Sequence, residues 1–123
     1  MKVSVWIGNT TSWELLDGQL TFAFTEDGDA IPCRFCEAFG FDWFDEDDRE
    51  ASRSESAAHR IRDLLKRHSH GERIADALGE GGVLNTPCNA IVLLYEFEYT
   101  EDVDVAELSE ETTLRFLGCV EIP

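Results

Sequence analysis

The hydrophobic pattern opens with a period of two. Val3, Val5 and Ile7 alternate with Ser4, Trp6 and Gly8, which predicts a strand that Gly8-Asn9 ends. Thr11 with Glu14 three positions later has the form of a capping box, so a short helix through Trp13, Leu15 and Leu16 should run to about Asp17 and stop at Gly18. Leu20, Phe22 and Phe24 then alternate with small or polar residues and predict a second strand, followed by a turn at Glu26-Asp27-Gly28-Asp29. Pro32 suits the first position of a helix and Gly40 its end, with Phe35, Cys36 and Phe39 between them at helical spacing. Phe41 to Asp48 is aromatic first and acidic after, without a period, and reads as a loop or an irregular edge strand.

The second half predicts two more helices and two more strands. From Ser54 or Ser56 to His68, Ala57, Ile61, Leu64, Leu65 and His68 share one helical face, and Arg60, Arg62, Asp63, Lys66 and Arg67 the other. Ser69 with Glu72 forms a second capping box before a helix through Ile74, Ala77 and Leu78, which Gly79 ends. Glu80 to Pro87 reads as a glycine-containing loop. Asn89 to Tyr99 is the strongest strand. Ile91 to Tyr95 is apolar on both faces, as in a strand covered on both sides, and Glu96 and Glu98 then share one face. Thr100 to Thr113 reads as an acidic loop with one helical turn. Leu114 to Ile122 predicts a last strand with Leu114, Phe116, Val120 and Ile122 on one face. This order predicts one α+β domain over residues 1–123, a mainly antiparallel sheet of about four strands carrying helices.

Charge changes the functional picture. The chain carries a net charge of -16, from 26 acidic against 10 basic residues. That balance argues against nucleic acid and anionic membranes as partners, because both recruit positive surface, and favours a basic protein partner. The charge is also uneven. Seven of the ten basic residues lie between Arg49 and Arg73, whereas Glu96 to Glu111 holds eight acids and no base. The start of the chain lacks the apolar run of a secretory signal, and no segment approaches the roughly 18 apolar residues of a membrane span, so the expectation is a cytoplasmic protein whose four cysteines are thiols.

Several segments together resemble the immunity protein 22 family of bacterial polymorphic toxin systems. They are Val3 to Asn9, Phe39 to Asp47, Asn89 to Tyr99, and Phe116-Leu117-Gly118, in the family's order and rough spacing across nearly the whole chain. The conjunction of Trp-Ile-Gly-Asn, Asp-Trp-Phe-Asp-Glu-Asp and the long late strand carries the resemblance. Where the family often has an aromatic residue after Asp-Glu-Asp, this chain has Asp48, which adds charge there. The resemblance implies a protein without catalytic activity that binds a cognate toxin in the producing cell and prevents self-killing. Many toxins of such systems are nucleases, and an acidic inhibitor can present carboxylates where phosphates would sit.

The first candidate for the partner-binding site is the segment Asp42, Trp43, Asp45, Glu46, Asp47, Asp48 and Glu50, where an aromatic anchor stands among charges, as at many protein interfaces. The competing reading buries Trp43 and Phe44 and leaves the acids merely solvated. Glu96 and Glu98 are candidates to extend the same surface, with Glu101, Asp102 and Asp104 beyond them. Calcium fits poorly, since the acidic segment lacks the glycine and distal glutamate of an EF-hand loop. Cys33 and Cys36 form a C-x-x-C without a second pair, which favours packing over zinc or redox chemistry. No cofactor is expected. His68 reads as a histidine at the edge of the core, and Ser69 beside His70 as a cap. The alternatives to a toxin inhibitor are a metal-dependent enzyme using the clustered carboxylates and a structural or assembly module.

Overall fold

A computed structural model describes residues 1–79 and 83–123, with the side chain of Val83 also outside the description. Among the described residues the chain forms a five-stranded antiparallel sheet, a two-stranded hairpin and four α-helices. The elements are β1 (Lys2–Thr10), α1 (Trp13–Gln19), β2 (Ala23–Phe24), β3 (Ala30–Ile31), α2 (Arg34–Phe39), β4 (Arg49–Arg60), α3 (Ile61–Leu65), α4 (Gly71–Leu78), β5 (Val83–Tyr95), β6 (Val105–Ser109) and β7 (Thr112–Glu121). The sheet order is β4-β5-β1-β7-β6, so β1 lies in the middle, and β2 pairs only with β3.

Both faces of the sheet are covered, and the alternation in β1 sorts the two cores. Val3, Val5 and Ile7 pack with Ile61, Leu64, Leu65 and Ile74 of α3 and α4. Trp6 points to the opposite side, among Leu16, Phe35, Phe39, Phe44 and Tyr99. Trp6 is fully buried, and its ring meets Phe35 edge-on at 4.9 Å and Phe116 at 5.1 Å. Edge-to-face pairs of this kind add about 0.5–1.5 kcal/mol to the burial of the rings themselves. Gly8 is required where β1 meets β7, since a Cβ there would lie 1.9 Å from the Thr113 carbonyl oxygen. Gly71 lets α4 start against α3, where a Cβ would lie 2.1 Å from the Leu65 carbonyl oxygen.

The structure corrects several sequence-based expectations. The segment read as a helix from Ser54 or Ser56 to His68 is mostly β4, and only Ile61–Leu65 is helical. Ala57, the first residue of the supposed apolar face, is exposed, and serine-rich Ser52–Ser56 has weak helix propensity. Pairing with β5 at the sheet edge decides the conformation instead. Part of the expected loop Glu80–Pro87 belongs to β5, which begins at Val83, and residues 80–82 lie outside the described ones. β5 ends at Tyr95 rather than Tyr99, because Glu96 takes the left-handed conformation with φ 56°. The acidic stretch Thr100–Thr113 contains β6 rather than a helical turn.

Smaller differences follow from local chemistry. Ser12, not Thr11, caps α1, its hydroxyl accepting from the Leu15 amide at 3.1 Å, and the helix runs past Gly18 to Gln19. Ser69 does not cap α4; its hydroxyl donates to Glu50. The strand predicted from Leu20 to Phe24 reduces to Ala23–Phe24. In β7 the register slips between the Val5–Gly118 and Trp6–Phe116 pairs, leaving Leu117 as an extra residue. That bulge sends Leu114 and Phe116 to the aromatic core and Val120 to the other, so the four residues expected on one face divide. The helix expected between Pro32 and Gly40 forms as α2, but it starts at Arg34 after Cys33 at the N-cap rather than at Pro32, and Gly40 closes it at φ 81°.

Candidate functional site

The acidic segment before β4 and the acidic segment after β5 meet at one end of the sheet. Arg49 of β4 pairs with Leu94 of β5, so the residues just before β4 stand beside those just after it. Asp45 to Asp48 tighten into a single 3-10 turn, which Asp45 caps by accepting from the Asp47 amide at 2.9 Å. A cleft of about 270 Å³ is lined by Trp43, Phe44, Asp45, Asp48, Glu96 and Phe97, among others. Three of the predicted acids therefore share one concavity with the predicted aromatic anchor.

Trp43 and Phe44 separate. Phe44 is buried at 2% exposure against Phe22, whereas Trp43 is 58% exposed. Alternation across one peptide thus anchors the loop on one side and presents an indole on the other. Asp42, Glu46 and Asp47 are exposed around it. Glu98 is exposed and pairs with Lys2. The segment carrying Glu96 and Glu98 is fixed from below. Buried Ser4 donates to the Phe97 carbonyl at 2.8 Å and accepts from the Tyr99 amide at 3.0 Å, while the Tyr99 hydroxyl reaches the Phe39 carbonyl at 2.6 Å. The exposed carboxylates are thus held on a rigid base.

Glu50 stands apart from the other candidates. It faces α3 and α4 and accepts from the Tyr95 hydroxyl at 2.5 Å and the Ser69 hydroxyl at 2.7 Å, with the His68 Nδ1 at 3.4 Å. Burial works against its charge, but the bonds from Tyr95 and Ser69 outweigh it and hold the carboxyl below the usual carboxylate range. Burial pushes His68 below the ordinary histidine value despite Glu50, which favours the neutral ring. With an Nδ1 proton aimed at Glu50, Nε2 accepts from the Ser52 hydroxyl at 2.9 Å. Ser52, His68 and Glu50 stand in the order of a nucleophile, a base and a carboxylate. Their placement makes them a tie, since the His68 side chain is only 5% exposed and the network locks β4, β5 and the α3–α4 turn together.

The cysteines sit in packing positions. Cys33 and Cys36 are buried at the start of α2, and all four cysteines are free. The neighbouring Cys36 thiol holds the Cys33 pKa down, to about 7, while Cys36 itself is pushed upward. Among the described residues no three His, Cys, Asp or Glu side chains converge to hold a metal ion, and no helix is long and apolar enough to cross a membrane.

Sequence reasoning missed that the β2–β3 hairpin presents a second exposed aromatic beside acids. Phe24 is 62% exposed, and the turn beyond it carries Glu26, Asp27 and Asp29. Phe22 and Phe44 touch at 5.0 Å between ring centroids, so the residue before the hairpin and the residue after Trp43 share one patch of core. The signal was present as a second aromatic followed by acids, but only the Phe22–Phe44 contact joins the two segments.

No curated protein and no solved structure shows significant similarity to the chain. A family described as Immunity protein 22 matches residues 3–121, which takes in the Trp43 cleft and nearly all of both cores and of the five-stranded sheet. The chain belongs to the Immunity protein 22 family.

Proposed function

We propose that the protein neutralises a cognate toxin by binding it, without catalysis, through the acidic end of the sheet around Trp43. Family membership supports an immunity role and a toxin partner. The observation that carries the site is an exposed indole ringed by carboxylates from two chain segments, on a loop fixed by the buried Phe44. An aromatic anchor of this kind supplies much of the energy of a protein interface, and the surrounding charge selects a cationic partner and speeds its approach. The partner that fits is a basic toxin, and a nuclease meets the requirement because its substrate surface must attract phosphates. Carboxylates of Asp45, Asp48 and Glu96 would then occupy positions meant for phosphate oxygens.

The test is co-expression with the product of the adjacent gene. Wild-type protein should co-purify with that product and rescue growth. Trp43→Ala combined with Asp45→Asn, Asp48→Asn and Glu96→Gln should abolish both while the variant remains folded by circular dichroism. Full protection by this variant would remove the assignment.

A further inference from the structure

The edge of the sheet at β4 presents a second surface, of opposite character. Arg49, Ala51 and Arg53 pair with Leu94, Val92 and Ala90, which face the aromatic core, so their side chains project on the α1 side. Glu50 and Ser52 pair with Leu93 and Ile91 and project on the α3–α4 side. Each side supplies a wall to a groove of about 650 Å³ that follows residues 49–53, with Trp13 on one wall and Arg67 with His68 on the other. Trp13 is 38% exposed there.

The groove is cationic in a chain of net charge -16. Arg49, Arg53 and Arg67 all line it. Asp17 pairs with Arg49 at 3.2 Å, and Glu50 is turned inward onto Tyr95 and Ser69. Arg53 donates a hydrogen bond from Nε to the Thr10 carbonyl, a neutral acceptor that leaves its charge unpaired. Arg67 makes no ion pair among the described residues. β4 pairs on one side only among the described residues, so alternate residues of 49–53 direct their N–H and C=O groups into the groove.

We propose that this edge accepts an extended acidic segment of another polypeptide as an added strand along Arg49–Arg53. Main-chain pairing would supply affinity, and alternate side chains would supply specificity. Carboxylates on one face of the added strand meet Arg49 and Arg53, a carboxylate on the other meets Arg67, and an apolar residue covers Trp13. The register break between Arg53 and Ala58 limits the docked stretch. It spans about five residues, roughly 17 Å at the rise of a strand. This surface is independent of the acidic end and does not require the toxin reading.

The probe is a capped seven-residue peptide of Glu and Val, with Glu on both faces of the strand and Val at the position that covers Trp13, compared with its Lys–Val counterpart and with the Glu–Val peptide N-methylated at every amide. Binding is read by amide exchange and chemical-shift mapping of the full-length protein. The Glu–Val peptide should bind, protect amides within 49–53 and lose affinity about tenfold or more with Arg67→Glu. The N-methylated peptide keeps the charges but cannot pair as a strand, and should bind at least tenfold more weakly. Equal binding of the N-methylated peptide, equal binding of the Lys–Val peptide, protection confined to other strands, or no binding at millimolar peptide would each overturn the proposal. So would self-association of the protein through β4 that Arg67→Glu abolishes, since a second copy would then be the occupant.

Discussion

Asp48 and Glu50 are separated by one residue, yet they belong to regions built on different principles. Asp48 lines an open cleft with Asp45, Glu96 and Trp43. Glu50 is bound by hydroxyls from β5 and the α3–α4 turn and sits beside His68. The difference arises from strand alternation. Once β4 begins at Arg49, Glu50 must face α3 and α4, whereas the residues before it are free of the sheet. A run of acids in the sequence is therefore two things here, a solvated surface available to a partner and one carboxylate committed to the fold. Solvated like charges gain from meeting cations, while removing a half-buried, hydrogen-bonded carboxylate costs stability because its partners are stranded.

Mutations can break this comparison from either side. The largest effect belongs to the cleft. Trp43→Ala with Asp45→Lys, Asp48→Lys and Glu96→Lys should weaken toxin binding about 1,000-fold or more, combining a hot-spot loss with like-charge repulsion, and calorimetric titration checks it. The same variant should melt within a few degrees of wild type, because these side chains are exposed or half-exposed. Glu50→Ala should do the reverse. It strands the Tyr95 and Ser69 hydroxyls and should cost about 1–3 kcal/mol in urea denaturation, with toxin affinity unchanged. Asp47→Ala should change stability by no more than about 0.5 kcal/mol, the behaviour of a surface position.

Acid sharpens the comparison further. His68 has a folded pKa below the ordinary value of 6.5. The unfolded chain therefore binds a proton that the folded chain resists. Its contribution to stability is complete above that ordinary value and falls as pH drops through the folded pKa. The Glu50 carboxyl, also held low, adds a loss at still lower pH, below its ordinary value of 4.5. Wild-type protein should lose stability relative to His68→Gln as pH falls from 7.5 to 5, measured as the difference in urea midpoints. Toxin affinity should track cleft carboxylates rather than this residue.

The sequence displayed the core well wherever one residue type met one rule. Alternation at Val3, Val5 and Ile7 found β1, and Pro32 with Gly40 bracketed α2. It failed where the deciding contact is distant. The apolar spacing from Ala57 to His68 is real, but β5 holds residues 49–60 as an edge strand, and serine and arginine give an edge strand no alternation to read. Glu96 was invisible as a break because the left-handed turn there is set by Ser4 of β1 and the Phe97 carbonyl, not by a glycine. The acidic stretch after Tyr99 concealed β6, which β7 pairs and which Arg34 of α2 binds through the Leu108 carbonyl at 2.9 Å. For the site, the aromatic and acidic residues at Asp42–Asp48 were legible as a cluster. That Trp43 faces outward and that Glu50 turns inward required the fold.

Hydrogen–deuterium exchange of the protein alone and in complex with the adjacent gene's product reads the interface residue by residue. Protection is expected at 42–48 and 96–98, with α3 and α4 unchanged. A complex that protects α3 and α4 and leaves the Trp43 loop as exposed as in the free protein would contradict the Trp43 interface.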